Sequence, residues 1–261
     1  MRIAALNSLW KYHELLFSWT LRTIQARYQQ TILGGLWAVL QPAASATIFT
    51  IIFTLFMPVD TGDIPYVVFS YSAMVPWVLF SSAITDMVEC LVTNMNLVTK
   101  IYFPREILPL AALLARLMDF AIAFIVLVLV MIFFNMPVFT SSWLYLPIIL
   151  LTQLTLMLGL GLAGSALNVF FRDIRHVITL GMQLWFFATP IIYPITLVPE
   201  QLRPIYSLNP MTGIIQAYRL VLLQQQAPGS YFMTSVLIAV LALVAGYWFF
   251  KRVEFKFADV I

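Results

Sequence analysis

Charged residues divide this chain into long uncharged stretches. No Asp, Glu, Lys or Arg occurs in 28–59, 64–85, 120–171, 176–199 or 220–250. A helix needs ~20 apolar residues to cross a bilayer, and inside the bilayer its backbone groups can bond only to one another. The gap at 120–171 is long enough for two crossings and a turn between them. The pattern predicts an all-α membrane protein forming a single transmembrane domain over residues 1–261. Its six spans fall at 34–57, 66–85, 108–134, 144–169, 177–193 and 232–250.

Two further segments have helical periodicity but do not read as spans. Within residues 1–30, Lys11, Glu14, Ser18, Arg22, Gln25 and Gln29 form a polar stripe, and Phe17, Leu21, Ile24 and Tyr28 an apolar one. With Trp10 and Trp19 at headgroup level, this predicts an interfacial helix lying along the membrane; a cytosolic packing helix is the plainer alternative. In 210–224, Asn209 suits an N-cap, Pro210 the first turn, and Gly229 follows the end. Met211, Ile214, Ile215, Tyr218 and Leu222 share one face of this helix. It is too short to cross, and predicts an external re-entrant or interfacial helix inside the long segment 196–231 between the last two spans.

Composition agrees with a membrane chain. Of 261 residues, 62% are hydrophobic and 10% charged, with mean hydropathy +0.95. Soluble domains run at ~45–50% apolar and ~25% charged, and disordered chains are richer still in charge. Charge also sets the orientation. With both termini cytosolic, the inner segments hold twelve basic residues and the outer ones only Arg203 and Arg219. The formal charge of +3 is spread along loops, which argues against nucleic-acid binding. Lys11, Glu14, Arg22 and Arg27 interrupt the first apolar residues, so no signal peptide is read there. Cys90 is a lone cysteine, and His13 and His176 lie far apart in the chain.

The chemistry is sparse. No Gly is followed by Lys, so there is no Walker A loop, and neither an aspartate-rich pair nor a Ser/His/Asp set is evident. No catalytic residues, metal site or bound cofactor are expected on this chain, which is read as a transport subunit and not an enzyme. Arg116 and Asp119 stand at i,i+3 near the inner end of the third span, as a structural ion pair or, alternatively, a relay. In the fifth span Met182, Phe186, Thr189 and Tyr193 share a face, with Gln183, Phe187 and Pro190 beside it. The first span places Trp37 and Gln41 one turn apart, followed by Pro42. Such surfaces suit a path for a neutral, hydroxyl-rich polymer, because aromatic faces accept sugar C–H groups. Ordinary helix packing and interfacial aromatic belts account for the same residues. Two inner loops, 96–106 and 172–176, are basic and compact, and could either dock a soluble partner or simply fix topology.

The stretch 27–42 (RYQQTILGGLWAVLQP) resembles the approach to the first span in the permeases of bacterial polysaccharide ABC exporters, the family that exports O-antigen, capsule or teichoic-acid polymers. The segment 100–109, with YFPRE at 102–106, resembles its cytosolic coupling helix, and NVFFRD at 168–173 its loop before the fifth span. TPIIYP at 189–194 and LNPMTG at 208–213, followed by Tyr218 and Arg219, resemble its external region. The resemblance implies a homodimer with two separate ATP-binding cassette subunits that hold ATP and magnesium. It implies ATPase coupling through Lys100, Tyr102, Phe103, Pro104 and Arg105, with Arg172 and Asp173 as a second contact. It also implies a lateral entrance for a lipid-linked diphosphate near Arg22 and Arg27. The channel would be lined mainly by the first and fifth spans, through Trp37, Gln41, Met182, Phe186, Thr189 and Tyr193. The expected function is export of polyprenyl-diphosphate-linked polysaccharide across the bacterial inner membrane. Export of a drug or small lipid, and a membrane-embedded polyprenyl-lipid transferase, are the alternatives. Arg116 and Asp119 have no assigned role.

Overall fold

The structure, a computed structural model, describes residues 12–29, 34–101 and 103–258. Trp10, Lys11 and Tyr102, the last expected to take part in coupling, lie outside the described residues. Helix α1 (His13–Tyr28) precedes a 3-10 turn (Gly34–Leu36) and α2 (Trp37–Ile51), which closes in a π-helical turn (Ile52–Phe56). Then come α3 (Tyr66–Thr93), the short α4 (Met95–Lys100), α5 (Ile107–Phe133), α6 (Leu146–Phe170) and α7 (Ile174–Phe187). The short α8 (Arg203–Ser207), α9 (Pro210–Leu223) and α10 (Ser230–Val253) complete the order, and a 3-10 turn (Glu254–Ala258) follows. Among the described residues there is no strand.

Among the described residues, five stretches are long and apolar enough to cross a membrane: Gly34–Phe56, Tyr66–Thr93, Ile107–Phe133, Ser141–Phe170 and Ser230–Phe257. The sixth expected span, 177–193, differs. Its helix, α7, has 14 residues and stops at Phe187, giving a length of about 21 Å against the ~30 Å of a hydrocarbon core. The reason is in the sequence that follows. Pro190 has no N–H to donate and disfavours helical geometry at Thr189, and Pro194 repeats the obstacle four residues later. The uncharged stretch continues past these prolines, so charge alone overestimated the helix. Asn209 caps α9, its side chain accepting a hydrogen bond from the Met211 N–H, and Pro210 fills the first turn.

Helix α3 is the centre of the packing. It touches α2, α5, α6, α7 and α9, and its Val68, Met74, Phe80, Ile84 and Met87 are fully enclosed. Pro76 sits inside α3, and Gln153 of α6 donates to the Pro76 carbonyl at 2.8 Å. Asn168, also on α6, donates to the Val88 carbonyl at 2.9 Å. Between apolar helices in lipid, hydrogen bonds of this kind and close backbone approach carry the association, because lipid tails are as apolar as Leu. The close approach lies between α6 and α10. A methyl added at Gly246 would fall 2.0 Å from the Gly159 carbonyl oxygen, and one at Gly159 would fall 2.4 Å from the Ala242 carbonyl carbon.

Two glycine substitutions separate this contact from helix propensity. Gly246→Ala is expected to lower the melting temperature of the detergent-solubilised protein, at a cost of about 1–3 kcal/mol for overpacking. Gly181→Ala in α7, where an added methyl meets nothing within 4 Å, is expected to raise the melting temperature, through a helix-propensity gain of up to ~1 kcal/mol in stability. Thermal unfolding followed by fluorescence-detected size-exclusion chromatography checks both; a larger loss at position 181 than at 246 would contradict the packing.

Candidate functional site

The end of α1 lies against α5 and brings Arg27 and Tyr28 to three charged side chains of the spans. Arg27 donates to Asp86 of α3 and to Asp119 of α5, at 2.7 Å each. Arg116 donates to both oxygens of Asp86, at 2.7 and 2.9 Å, and to Asp119 at 3.1 Å. Tyr28 adds its hydroxyl as a donor to the other Asp119 oxygen. Burial first, and then the bond to the Asp119 carboxylate, push the Tyr28 hydroxyl up to about 12, so it stays protonated and donating. The four charged side chains are 14–26% exposed and balance two positive against two negative. Partly shielded charges beside apolar surroundings need this kind of mutual compensation.

The cluster gives Arg116 and Asp119 a place: with Asp86 they hold the end of α1 against the long helices. Asp86 was not singled out by the sequence, where its only signal is that it ends the second uncharged stretch. Arg27 is fully engaged by two carboxylates. Arg22, the other expected entrance residue, lies over the Trp19 ring at 4.8 Å. Beside the cluster is a cavity of ≈ 240 Å³ with Arg27, Tyr28, Arg116 and Asp119 at its polar end. Trp37 and Gln41 of α2 form one wall, and Val75, Leu79 and Phe120 supply apolar lining. A cavity charged at one end and apolar along its body suits an amphiphile.

The expected coupling segment has two different ends. Lys100 is exposed at the end of α4, whereas Phe103, Pro104 and Arg105 are partly buried. Arg105 donates to the Glu254 carbonyl, and its guanidinium lies 5.6 Å from the Phe257 ring. The next residue, Glu106, is buried and receives Lys251 on both carboxylate oxygens at 2.9 Å. Sequence reasoning did not pair these residues, which stand 145 positions apart. Arg172 and Asp173 are exposed at the corner between α6 and α7.

Beyond α7, side chains hold the chain where the helix stops. Asn209 donates to the Ala188 carbonyl at 3.2 Å and to the Thr189 hydroxyl at 2.9 Å. Buried Arg219 of α9 donates to the carbonyls of Pro190, at 2.6 Å, and Ile191, and Tyr66 of α3 donates to that of Ile192. The Arg219 guanidinium carbon sits 3.6 Å from the Phe69 ring centre, and its Nε has no hydrogen-bond partner. Met182 and Thr189 are buried. Phe186 packs 5.8 Å from Phe49 and 5.7 Å from Trp77. Tyr193 donates to the Phe187 carbonyl at 3.1 Å and meets the Tyr206 hydroxyl at 3.1 Å. Of the residues expected to line a channel, Met182, Phe186 and Thr189 are thus packed against other parts of the chain, while Trp37 and Gln41 of α2, and Gln183 and Phe187 of α7, are exposed.

The described chain is helical, with the short α4 between its second and third long apolar helices. The description of the ABC-2 type transporter family matches residues 14–223. The chain belongs to that family. It is 30% identical to the O-antigen export system permease protein RfbA of Myxococcus xanthus, over 99% of this chain and all of the relative. A protein of the same name from Klebsiella pneumoniae is 28% identical, with 95% of each chain covered. The polysialic acid transport protein KpsM of Escherichia coli is 27% identical over 76% of this chain and 77% of its own. An ABC-2 permease implies an ATP-binding cassette partner, and the relatives are transport subunits. The long apolar helices of this permease accord with a multi-pass membrane protein.

The ion cluster makes a quantitative prediction for the ABC-2 permease. Arg27→Ala is expected to loosen α1, raising its hydrogen exchange while the spans stay protected. A double-mutant cycle of Arg27→Ala with Asp119→Asn should show a coupling of about 1–3 kcal/mol in thermal stability. Strictly additive losses would show that the two helices are not joined by these side chains.

Proposed function

We propose that this permease is the membrane subunit of an exporter that moves polysaccharide on a polyprenyl-diphosphate carrier out of the cytosol, across the bacterial inner membrane. The observation that carries the proposal is the end-to-end similarity to O-antigen export permeases, with 99% of the chain and all of the relative aligned. Two copies would pair, with two ATP-binding subunits on the cytosolic side supplying ATP hydrolysis with magnesium. The strong bias of Lys and Arg supports placing both termini in the cytosol. In this arrangement α7 and the corner after it form the sixth crossing together, and α8 and α9 enter from the outside without crossing.

The chemistry of each part supports its role. An apolar carrier tail with a charged head matches the cavity beside Arg27, which is apolar along its body and charged at one end. A diphosphate arriving there would compete with Asp86 and Asp119 for Arg27, so the neutral cluster sets a threshold that a weakly charged lipid does not meet. Arg22, held only over a ring, would meet the headgroup first. Trp37 and Gln41, with the exposed Gln183 and Phe187, offer aromatic and amide groups to a neutral glycan without binding ions. Exposed Lys100, with Phe103 and Pro104 behind it, would receive the ATP-binding subunit, and Arg172 with Asp173 would form the second contact.

Depleting the protein from cells tests this reading. Mass spectrometry of extracted membranes should find polyprenyl-diphosphate-linked glycan accumulating on the cytosolic side, together with loss of surface polysaccharide. A normal surface coat with no accumulated carrier-linked glycan would contradict it and favour a small-molecule cargo. Phe103→Ala should then lower export several-fold more than it lowers ATP hydrolysis by the purified complex; equal losses in both would remove Phe103 from coupling.

A further inference from the structure

We infer that the last span, α10, is the strut that carries motion from the coupling segment to the outer corner, and that Glu106 and Lys251 are the positioning residues that attach it. The inference rests on the exporter reading above and says which helix transmits the stroke.

At the coupling end the attachment is dense. Lys251 reaches both oxygens of Glu106 at 2.9 Å and both oxygens of Glu254 at 3.1 and 3.3 Å. Arg105 donates to the Glu254 carbonyl from the same side. Glu106 is only 2% exposed, so separating it from Lys251 would leave a buried carboxylate unpaired, which is strongly unfavourable. The coupling segment joins α3 to α5 in sequence, yet its charged end is fastened to α10.

Helix α10 is built to pass on a displacement. Its 24 residues contain no proline, and at 1.5 Å per residue they extend about 36 Å, enough to span the hydrocarbon core. Its one glycine, Gly246, is locked against Gly159 of α6. At the opposite end, a methyl added at Gly213 of α9 would fall 2.2 Å from the Ser235 hydroxyl and 2.3 Å from the Tyr231 carbonyl oxygen, both on α10. Helix α9 carries Arg219, whose guanidinium holds the Pro190 and Ile191 carbonyls at the end of α7. Each joint is a backbone contact or a buried polar bond, with no flexible linker between them. Spatial continuity does not by itself establish coupling, so a functional readout decides.

The test uses the permease in complex with its ATP-binding subunit, in lipid nanodiscs. Cys90→Ser removes the native thiol, and Leu208→Cys places a reporter at an exposed site between α8 and α9. The rate of maleimide labelling is measured with and without ATP and vanadate. In this parent the rate is expected to depend on nucleotide. Lys251→Met and Glu106→Gln are each expected to shrink that dependence about fivefold or more, while complex assembly and ATP hydrolysis persist. Lys251→Arg should restore it. Glu106→Gln keeps the shape and one hydrogen bond, so it serves even where Lys251→Met assembles poorly. Full nucleotide dependence in an assembled Glu106→Gln complex would overturn the inference. A parent that neither assembles with an ATPase nor responds to nucleotide would instead count against the exporter reading itself.

Discussion

Backbone carbonyls cannot be left bare in apolar surroundings, and this constraint organises the permease. Helices satisfy it along most of the chain, so the informative places are those where a helix stops or is interrupted. At the corner after α7, the carbonyls of Ala188, Pro190, Ile191 and Ile192 are met by Asn209, Arg219 and Tyr66. These three come from other elements, so the corner exists only when α3 and α9 are in place. Gln153 and Asn168 reach backbone carbonyls of α3 in the same manner and fix α6 beside it. The buried amides Gln153 and Asn168 and the buried guanidinium of Arg219 are therefore joints between elements, whereas buried Ser70, Ser72, Thr152 and Ser165 bond carbonyls of their own helix.

Ionic groups follow a related rule. One cluster docks α1 on α3 and α5, and the other fastens Glu106, just before α5, to α10. Both are close to charge balance. A balanced cluster is mechanically firm but leaves no net charge to attract a ligand from a distance, so an anionic head would have to displace a carboxylate to be bound.

Much of the fold was legible because charges are so sparse that each one carries weight. The uncharged stretches located the long apolar helices, and Asn209-Pro210 announced α9 with its cap. Two things were not legible. The length of α7 depended on Pro190 and Pro194, whose effect is hidden when only charge is counted. The continuation of α3 past Thr85 depended on Asp86 finding Arg27 and Arg116, 59 and 30 positions away. The candidate site was legible only in part for the same reason. Arg27 and Arg116 were noticed singly, whereas their meeting at Asp86 and Asp119, and that of Glu106 with Lys251, are products of tertiary packing. Met182, Phe186 and Thr189 show the converse. Their shared face was plain in the sequence, but an apolar face does not say whether it meets a channel or another helix.

The most direct test of the account is transport by purified components. The permease and its ATP-binding subunit would be reconstituted into sealed vesicles whose outer leaflet carries a polyprenyl-diphosphate-linked oligosaccharide, and appearance of the glycan in the lumen would be followed on adding ATP. The account predicts ATP-dependent accumulation inside the vesicles that is abolished when the diphosphate carrier is replaced by free oligosaccharide. Equal transport of the free oligosaccharide, or ATP hydrolysis with no glycan in the lumen, would contradict it.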